Sequence, residues 1–353
     1  MAEKWETKIT KVEPDNLLIS GYPLQELVEK KTLLDVAHLL VSGELPDVRT
    51  REQLRKTALQ AVMLPAPPIA RNPKEDISKS LEKCLLLDDA LLDYPDRPTK
   101  KTAFALGRVA RYLAHLNNTE KMLDGLTGDE DLSLILFRIF TGRQPPNEKH
   151  SRLLEAMITA CVDHGVTPPS AQATIIASSV RASYEVSIAH GVGAITDVHG
   201  GAGAKAALFF RESIQSSADV KAVVDDYQKQ KKRIPGLGHR VHKNDPRRDV
   251  LWRLAKESGV AGRNVEMSMK ISAVFKESSG KDLPINVDGV IGAIVADFGL
   301  DVSAAKTIFI IGRVAGLSAH HYEEYSRPQM RQIGFEDAIY TGKSKRSVPG
   351  GVA

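Results

Sequence analysis

Cysteine is scarce in this chain of 353 residues. Only Cys84 and Cys161 occur, far apart and without the spacing of metal ligands. This scarcity argues against a disulfide framework and against a zinc site, and it is typical of a reducing compartment. We therefore expect two core thiols in a cytoplasmic protein that holds no metal.

Long apolar runs and a strong excess of charge are also missing. No uninterrupted apolar stretch approaches membrane-spanning length, and the opening MAEKWETKITKVEP does not resemble a secretory signal. Forty-eight Lys and Arg residues face 44 Asp and Glu residues, which leaves a formal net charge of +4. Because no field of one sign covers the whole chain, we expect neither nucleic acid nor a membrane as a partner.

Strand signals are few, and helical periodicity dominates. Alternation in WETKITKVEPDNLLISGY, across a Pro-Asp-Asn turn, predicts a small N-terminal hairpin. The length allows one large domain and a smaller one. Together with the helical periodicity, it leads us to expect a mostly α-helical, two-domain protein. Apolar residues at three- and four-residue spacings predict helices over 49–63, 77–91, 100–115, 147–162, 168–189, 202–216, 248–258, 263–278 and 302–321.

Histidines interrupt this helical pattern at two places that are rich in small residues or proline. In CVDHGVTPPSAQ, Thr167 and Pro168 mark a helix start, and the Thr167 hydroxyl is expected to cap it. His164 therefore lies just before a helix N-terminus, where backbone N–H groups favour an anion. The alternative is a tight turn in which Asp163 and His164 satisfy each other. In AITDVHGGAGAK, only small residues follow His199 for four positions, which allows a ligand to approach the backbone closely.

A loop-like segment rich in positive charge is RIPGLGHRVHKNDPRRD, residues 233–249. A histidine follows a Pro-Gly turn there and is itself followed by cations. Charge runs are commonly solvated surface, but the glycines and proline favour a shaped anion-binding loop, since Arg offers two donors to carboxylates and phosphates. The residues concerned are His239, Arg240, Lys243, Arg247 and Arg248.

Charged residues also lie inside apolar segments near the C-terminus. Asp288 in LPINVDGVIGAIVADFGL is either a structural cap or a base whose pKa burial raises. Arg313 lies in an apolar helix and Arg327 precedes a proline. A buried arginine requires an anion, which either a protein carboxylate or a substrate carboxylate supplies.

Taken in order, these motifs resemble the citrate synthase family across nearly the whole chain, from GYPLQELVEK to SRP. DVHGGAG is similar to the family's first catalytic-histidine loop, PGLGHRVHKNDPR to its second, and NVDG to its catalytic aspartate segment. The resemblance implies a large domain of residues 1–202 and 296–353 and a small helical domain of residues 203–295 that closes over a cleft. It also implies a homodimer, a coenzyme A thioester as substrate, and no permanently bound cofactor.

The resemblance further implies roles for individual residues. His199 would bind the thioester carbonyl, His239 the carbonyl or hydroxyl of the four-carbon partner, and Asp288 would be the base. The dicarboxylate of oxaloacetate or citrate would be held by His164, Arg247, Arg313 and Arg327, with Arg248 as the alternative to Arg247 and Arg327 reaching the neighbouring subunit's site. Acetyl-CoA or citryl-CoA would be held by Pro235, Gly236, Leu237, Gly238, Arg240 and Lys243.

Three departures from the synthase pattern favour the citryl-CoA lyase branch, which resembles the C-terminal module of ATP-citrate lyase. Gly165 replaces an acidic residue, Gly289 replaces a bulky aromatic, and GGAGA follows His199 where an amide or acidic residue is usual. Chain length and Arg327-Pro328 instead favour a synthase. On balance, we place citryl-CoA lyase slightly ahead of citrate synthase and 2-methylcitrate synthase. A non-catalytic partner module of a citryl-CoA synthetase is the alternative of another class, and it leaves the histidines and Asp288 unexplained.

Overall fold

A computed structural model of the protein describes residues 5–216, 219–238, 242–330 and 341. Within these ranges the chain forms sixteen α-helices, one 3₁₀ turn at Glu120–Leu123 and a single three-stranded sheet. The mostly α-helical class predicted from the sequence is confirmed. Two residues with predicted roles, His239 and Arg240, lie outside the described residues.

The N-terminal hairpin is present and is extended by a third short strand. Strands β1 (Thr10–Glu13), β2 (Asn16–Ile19) and β3 (Tyr22–Pro23) pair antiparallel in that order. The first turn is tight because Asp15 adopts a left-handed conformation with φ of +56°, which Asp tolerates better than most residues. Leu17 and Ile19 are fully buried, so the sheet is anchored to the helical core.

Eleven helices lie outside the middle of the chain: ten before residue 194 and one after residue 303. Side-chain caps start several of them: Thr32 and Asp35 form a capping box, and Asp47 and Asp76 each accept a backbone N–H. Their bounds are α1 (Leu24–Lys30), α2 (Leu33–Ser42), α3 (Val48–Met63), α4 (Ile77–Leu86), α5 (Asp89–Leu92), α6 (Pro98–Leu116), α7 (Leu132–Thr141), α8 (Glu148–Thr159), α9 (Pro169–Ser179), α10 (Tyr184–Gly193) and α16 (Ala304–Tyr325).

Two helix predictions were wrong in their bounds. The predicted helix 168–189 is divided, because Arg181 adopts φ of +62° between α9 and α10. The N-cap of α9 is Pro168 and no side chain caps this helix, so the predicted capping role of the Thr167 hydroxyl is also wrong. The predicted helix 77–91 breaks after Leu86, where Asp88 caps the short α5.

The middle of the chain contributes five further helices. Helix α15 packs against α11, α13 and α14, and α14 also packs on α12. Helix α13 contacts α8 and helices α11 and α15 contact α16, so the apolar core continues into the rest of the molecule. The predicted domain of residues 203–295 stays a prediction. The bounds are α11 (Ala202–Ser216), α12 (Val220–Lys229), α13 (Arg248–Ser258), α14 (Arg263–Ser279) and α15 (Val287–Asp297).

Helix α16 is the longest and one of the most buried elements among the described residues. It packs on α2, α6, α8, α9, α10, α11 and α15. Its approach to the chain around α8 is very close, since a Cβ atom on Gly312 would lie 2.3 Å from the Ile158 carbonyl oxygen and one on Gly316 2.3 Å from that of Val162. Only glycine permits this distance, and the contact places the middle of α16 beside Asp163.

Several negative predictions can be compared with the described part of the chain. Cys84 and Cys161 are free and buried, as expected. Within the described ranges, no group of three or more His, Cys, Asp or Glu side chains is arranged to hold a metal ion. Among these same residues, no helix combines the length and apolar character needed to cross a membrane.

Candidate active site

Four segments that are distant in sequence meet at the middle of α16. They are the turn after α8, the loop between α10 and α11, the start of α13 and the start of α15. Arg313 interacts electrostatically with Asp163, His199, Arg247 and Asp288. The structure therefore brings four of the predicted site residues, His199, Arg247, Asp288 and Arg313, into one cluster.

His199 lies in the loop between α10 and α11, with its ring against two side chains. Its Nε2 atom is 2.9 Å from the Ser170 hydroxyl, and its ring meets Phe309 edge-on at a centroid distance of 5.6 Å. Burial and the nearby charge of Arg313 lower the pKa of His199 to about 4. The imidazole is therefore neutral at pH 7 and retains one N–H to donate to a developing negative charge.

Asp288 is the second residue of α15, and its carboxylate has no hydrogen-bond partner among the residues that the structure describes. Burial raises the pKa of Asp288, with Asp245 adding to the shift while Arg247 and Arg313 oppose it. The helix N-cap is Asn286, whose side chain accepts the Gly289 N–H. The alternative role of Asp288 as a structural cap is therefore wrong, and a carboxylate with a raised pKa suits a general base.

Arg313 is buried in α16 with an incompletely satisfied guanidinium. The guanidinium lies over the Phe309 ring at 4.7 Å, and its Nη1 atom is 4.0 Å from Asp163 Oδ1. Nε and Nη1 have no hydrogen-bond partner among the described residues. Burial lowers the pKa of Arg313. Since an unpaired buried guanidinium is costly, this site is suited to receive an anion.

Asp163 faces Arg313 but is shared with other groups. Its carboxylate accepts the Gly165 N–H at 2.8 Å and lies 3.0 Å from His320 Nε2. Although burial alone would raise it, the pKa of Asp163 is held well below its usual range by His320 and Arg313. The alternative in which Asp163 and His164 satisfy each other is wrong, because the carboxylate bonds to Gly165 and His320 instead.

His164 is half-buried beside a second histidine that the sequence analysis did not single out. The rings of His164 and His242 meet edge-on at 5.9 Å, and the Asp15 N–H donates to His242 Nδ1 at 3.0 Å. Asp15 also accepts the Asn244 N–H at 2.7 Å. The turn of the N-terminal hairpin therefore supports this side of the site.

The structure separates the two arginines at the start of α13. Arg247 is buried and donates twice to Asp245, with Nε–Oδ1 and Nη2–Oδ2 distances of 2.9 and 2.8 Å. Arg248 instead pairs with Asp249 at the surface and lies over Trp252. Arg247 is thus the one that lies beside Asp288, and its charge is already compensated by a carboxylate that sequence reasoning missed.

The Pro235–Gly238 loop is fastened to the residues just before α15. Gly238 donates its N–H to the Pro284 carbonyl at 2.7 Å, and the Asn286 N–H donates to the Gly236 carbonyl at 2.9 Å. A Cβ on Gly289 would lie 2.9 Å from the Gly236 carbonyl oxygen. An aromatic side chain at position 289 would therefore displace this loop. Lys243 is exposed, and the predicted coenzyme A contacts of this loop stay predictions.

Of the three arginines predicted to hold the dicarboxylate, Arg327 is not brought to the cluster. It follows α16, with nitrogens 3.5 Å from Glu323 and 3.9 Å from Glu324. Fourteen residues separate it from Arg313, about 21 Å along a helix axis. Within one chain it therefore lies outside the cluster, and its predicted role in a neighbouring subunit's site stays a prediction.

Lys306 was also missed by sequence reasoning, and it supports the His199 loop. It is buried, forms an ion pair with Asp76 and lies with its Nζ 3.3 Å from Asp197 Oδ1, two residues before His199. Its partners are 230 and 109 residues away. A lysine in a helical pattern gives no signal of such distant contacts, so only the folded chain shows this support.

The arrangement combines a carboxylate whose pKa is raised, a neutral imidazole and a guanidinium with donors that lack partners among the described residues. The carboxylate can remove a proton from carbon, the imidazole can stabilise the oxyanion that forms, and the guanidinium can hold a carboxylate of the reacting partner. These are the requirements for forming or breaking a carbon–carbon bond next to a carbonyl.

Comparison with known proteins agrees with this chemistry. A family model described as "Citrate synthase, C-terminal domain" matches residues 3–333. The chain is 25% identical over 354 residues to a citrate synthase of Heyndrickxia coagulans, covering 96% of this chain and 93% of the relative. It is also 25% identical to a citrate/2-methylcitrate synthase of Bacillus subtilis, covering 90% of each.

Solved structures show the same similarity. The structure of citryl-CoA lyase from Hydrogenobacter thermophilus is 27% identical with a TM-score of 0.55, covering 98% of both chains. Citrate synthase from Thermotoga maritima is 23% identical with a TM-score of 0.76, covering 97% of this chain and 96% of the other. The second similarity establishes the fold alone.

Proposed function

Because the chain belongs to the citrate synthase family, we propose that it makes or breaks the bond between oxaloacetate and the acetyl group of acetyl-CoA by way of citryl-CoA, with cleavage favoured. The observation that carries this proposal is the juxtaposition of Asp288, His199 and the incompletely satisfied Arg313. A non-catalytic partner module would have no use for a half-buried carboxylate of raised pKa beside a guanidinium that, among the described residues, lacks partners for two of its nitrogens.

In the direction of synthesis, Asp288 removes a methyl proton from acetyl-CoA and the C–H electron pair moves into an enolate. The His199 N–H donates to the thioester oxygen, where negative charge develops. The enolate carbon attacks the ketone carbon of oxaloacetate, and His239 donates a proton to the resulting alkoxide. Citryl-CoA is the product, and every proton has a named donor and acceptor.

Cleavage follows the same steps in reverse. His239 accepts the hydroxyl proton of citryl-CoA, the carbon–carbon bond breaks to release oxaloacetate, and Asp288 returns a proton to the acetyl-CoA enolate. The raised pKa of Asp288 assists this last step, because it makes the protonated carboxyl group more accessible near neutral pH.

The dicarboxylate is assigned to His164, Arg247 and Arg313, with Arg327 contributed across a homodimer. Support is strongest for Arg313, since two of its nitrogens lack partners among the described residues. We assign coenzyme A to the Pro235–Gly238 loop with Arg240 and Lys243. The helices of residues 203–295 would close over the cleft and exclude water.

Cleavage is favoured over synthesis on two grounds. Gly165, Gly289 and the glycines after His199 depart from the synthase pattern, and a structure described as citryl-CoA lyase is 27% identical over nearly the full chain. Citrate synthase and 2-methylcitrate synthase are the alternatives, and the relative from Bacillus subtilis supports the second. We further propose a cytoplasmic location and, for a lyase, a citryl-CoA synthetase as partner.

The direct test is incubation of the pure protein with citryl-CoA, with free coenzyme A and acetyl-CoA measured separately. Acetyl-CoA and oxaloacetate as products support the lyase. Citrate and free coenzyme A identify a synthase, and propionyl-CoA in place of acetyl-CoA then separates the methylcitrate alternative. Absence of all these products contradicts an enzyme and supports the partner module.

A further inference from the structure

Asn286 uses both ends of its side-chain amide. Its Oδ1 atom accepts the Gly289 N–H at 3.0 Å and so caps α15, the helix that carries Asp288. Its Nδ2 atom donates to the Gly238 carbonyl at 2.7 Å. One side chain therefore joins the helix of the proposed base to the loop that precedes His239 in sequence.

Capping alone does not require asparagine at this position. Asp and Ser cap helices about as well as Asn, but an Asp carboxylate has no hydrogen to donate, and a Ser hydroxyl, although it can accept and donate at once, ends one bond short of the position of the Asn amide nitrogen. Asn147, the N-cap of α8, shows the contrast. Its Oδ1 accepts the Lys149 N–H at 3.0 Å, while its amide nitrogen donates no hydrogen bond among the described residues.

The hydrogen bonds around Asn286 also lead to Arg247, one of the residues predicted to bind the substrate. The neighbouring Val287 N–H donates to Asp245 Oδ2 at 2.9 Å, and Asp245 holds Arg247. The Asn286 backbone N–H holds the Gly236 carbonyl. The short segment 284–289 thus connects the Pro235–Gly238 loop, the base and Arg247.

We propose that Asn286 is a positioning residue that sets the placement of the Pro235–Gly238 loop relative to Asp288. This inference rests on the proposed function for its catalytic consequence. Asn286 does not touch the reacting atoms in this role. It fixes the distance between the Pro235–Gly238 loop and Asp288, which must act on the same pair of substrates. Displacement of a reacting group by 1 Å can reduce the rate by about a hundredfold.

The test compares Asn286→Ser, whose hydroxyl can accept the Gly289 N–H but ends one bond short of the position from which Nδ2 reaches the Gly238 carbonyl, with Asn286→Ala, which loses both bonds. Asn147→Ser is the matched control. We expect Asn286→Ser to raise amide hydrogen exchange at Gly236–Gly238 about fivefold, the scale of one lost hydrogen bond, while exchange along α15 stays unchanged. Asn286→Ala should raise exchange in both places, and Asn147→Ser in neither.

Turnover supplies the second readout. Asn286→Ser should lower kcat about tenfold or more at an unchanged Tm, with a smaller effect on the KM of the four-carbon substrate. Unchanged exchange at Gly236–Gly238 overturns the inference. So does raised exchange with full turnover. A wild-type protein that converts neither citryl-CoA nor acetyl-CoA with oxaloacetate refutes the proposed function instead, and the exchange result then decides whether the tie between loop and helix exists.

Discussion

Arg313 illustrates how burial makes a single residue specific. On an exposed surface its guanidinium would be hydrated and would bind carboxylates weakly. In α16 it is 4% exposed, lies over Phe309, and keeps two nitrogens without partners among the described residues. Binding of a carboxylate therefore restores hydrogen bonds that the guanidinium loses when the chain folds. Removal from water also distinguishes Asp288 from the surface carboxylates, since it raises the pKa of Asp288.

Replacement of Asp288 should separate catalysis from stability. Asp288→Asn removes the base, so turnover should fall about a hundredfold or more. Because burial raises the pKa of Asp288, its ionised form is destabilising at pH 7, and the variant should unfold at the same Tm or higher. Asp282→Asn, which neutralises an exposed carboxylate, is the control for both measurements. Turnover close to wild type would remove Asp288 from the mechanism.

Replacement of Arg313 should affect binding of the four-carbon substrate. Arg313→Met removes a buried guanidinium that has no hydrogen bond to Asp163, so the Tm of the free protein should change little. Oxaloacetate should raise the Tm of the wild type but not that of the variant, and the KM should rise at least about tenfold. A variant that unfolds, together with a wild type that oxaloacetate never stabilises, would identify a structural ion pair with Asp163.

At the scale of elements, loops are placed by residues that belong to helices. The His199 loop is supported by Lys306 of α16, the Pro235–Gly238 loop by Asn286 at the start of α15, and the turn after α8 by His320 of α16. Each support joins segments that are 48 residues or more apart. Rigid helices thus hold the functional groups that irregular backbone presents.

Loss of Lys306 should loosen the His199 loop. Lys306→Met removes the ammonium near Asp197, so kcat should fall about tenfold while the KM of oxaloacetate stays nearly constant, because Arg313 is unaffected. Lys306→Arg should restore much of the rate. Lys276→Met, which breaks an exposed ion pair with Asp282, should have no effect. An equal loss in both methionine variants would contradict a local role for Lys306.

At the scale of the whole molecule, the sequence predicted the class of fold and singled out four residues that the structure gathers in one cluster, His199, Arg247, Asp288 and Arg313, but not how they are held. Periodicity revealed most helices, whereas the break at Arg181 escaped because no glycine or proline marks it. Arg313 and Asp288 were found because charge is unusual in an apolar segment. Asp245, Ser170 and His320 were missed, since polar residues acquire roles only through partners that folding brings near.

Overall stability should depend on pH through Glu155, which lies far from the site. It is buried, accepts the Leu33 N–H at 2.9 Å and faces Arg152. Burial raises the pKa of Glu155 from 4.5 to about 7, with Asp131 and Asp35 adding to the shift and Arg152 opposing it. A raised pKa means that the folded state binds the proton more tightly, so this stabilisation is full below pH 4.5 and is lost as pH rises through about 7.

Glu155→Gln keeps the acceptor for Leu33 but cannot ionise. Chemical denaturation should therefore show a variant similar to wild type at pH 4.5 and more stable than wild type at pH 8, by up to about 3 kcal/mol. The difference should develop between these two pH values. A difference that stays constant across the range would show that Glu155 does not titrate there.

The close contact of α16 with its neighbours has a consequence for the register of the helix. Lys306, Phe309, Arg313, Gly316 and His320 are spaced by three, four, three and four residues, so they form one stripe along a single face. One inserted residue anywhere in this stretch would turn every later member by about 100° and advance it by about 1.5 Å. The stripe would then be divided into two halves that face different neighbours. A substitution in α16 therefore disturbs the contacts of one position, whereas a change in the length of the helix disturbs the contacts of every position that follows.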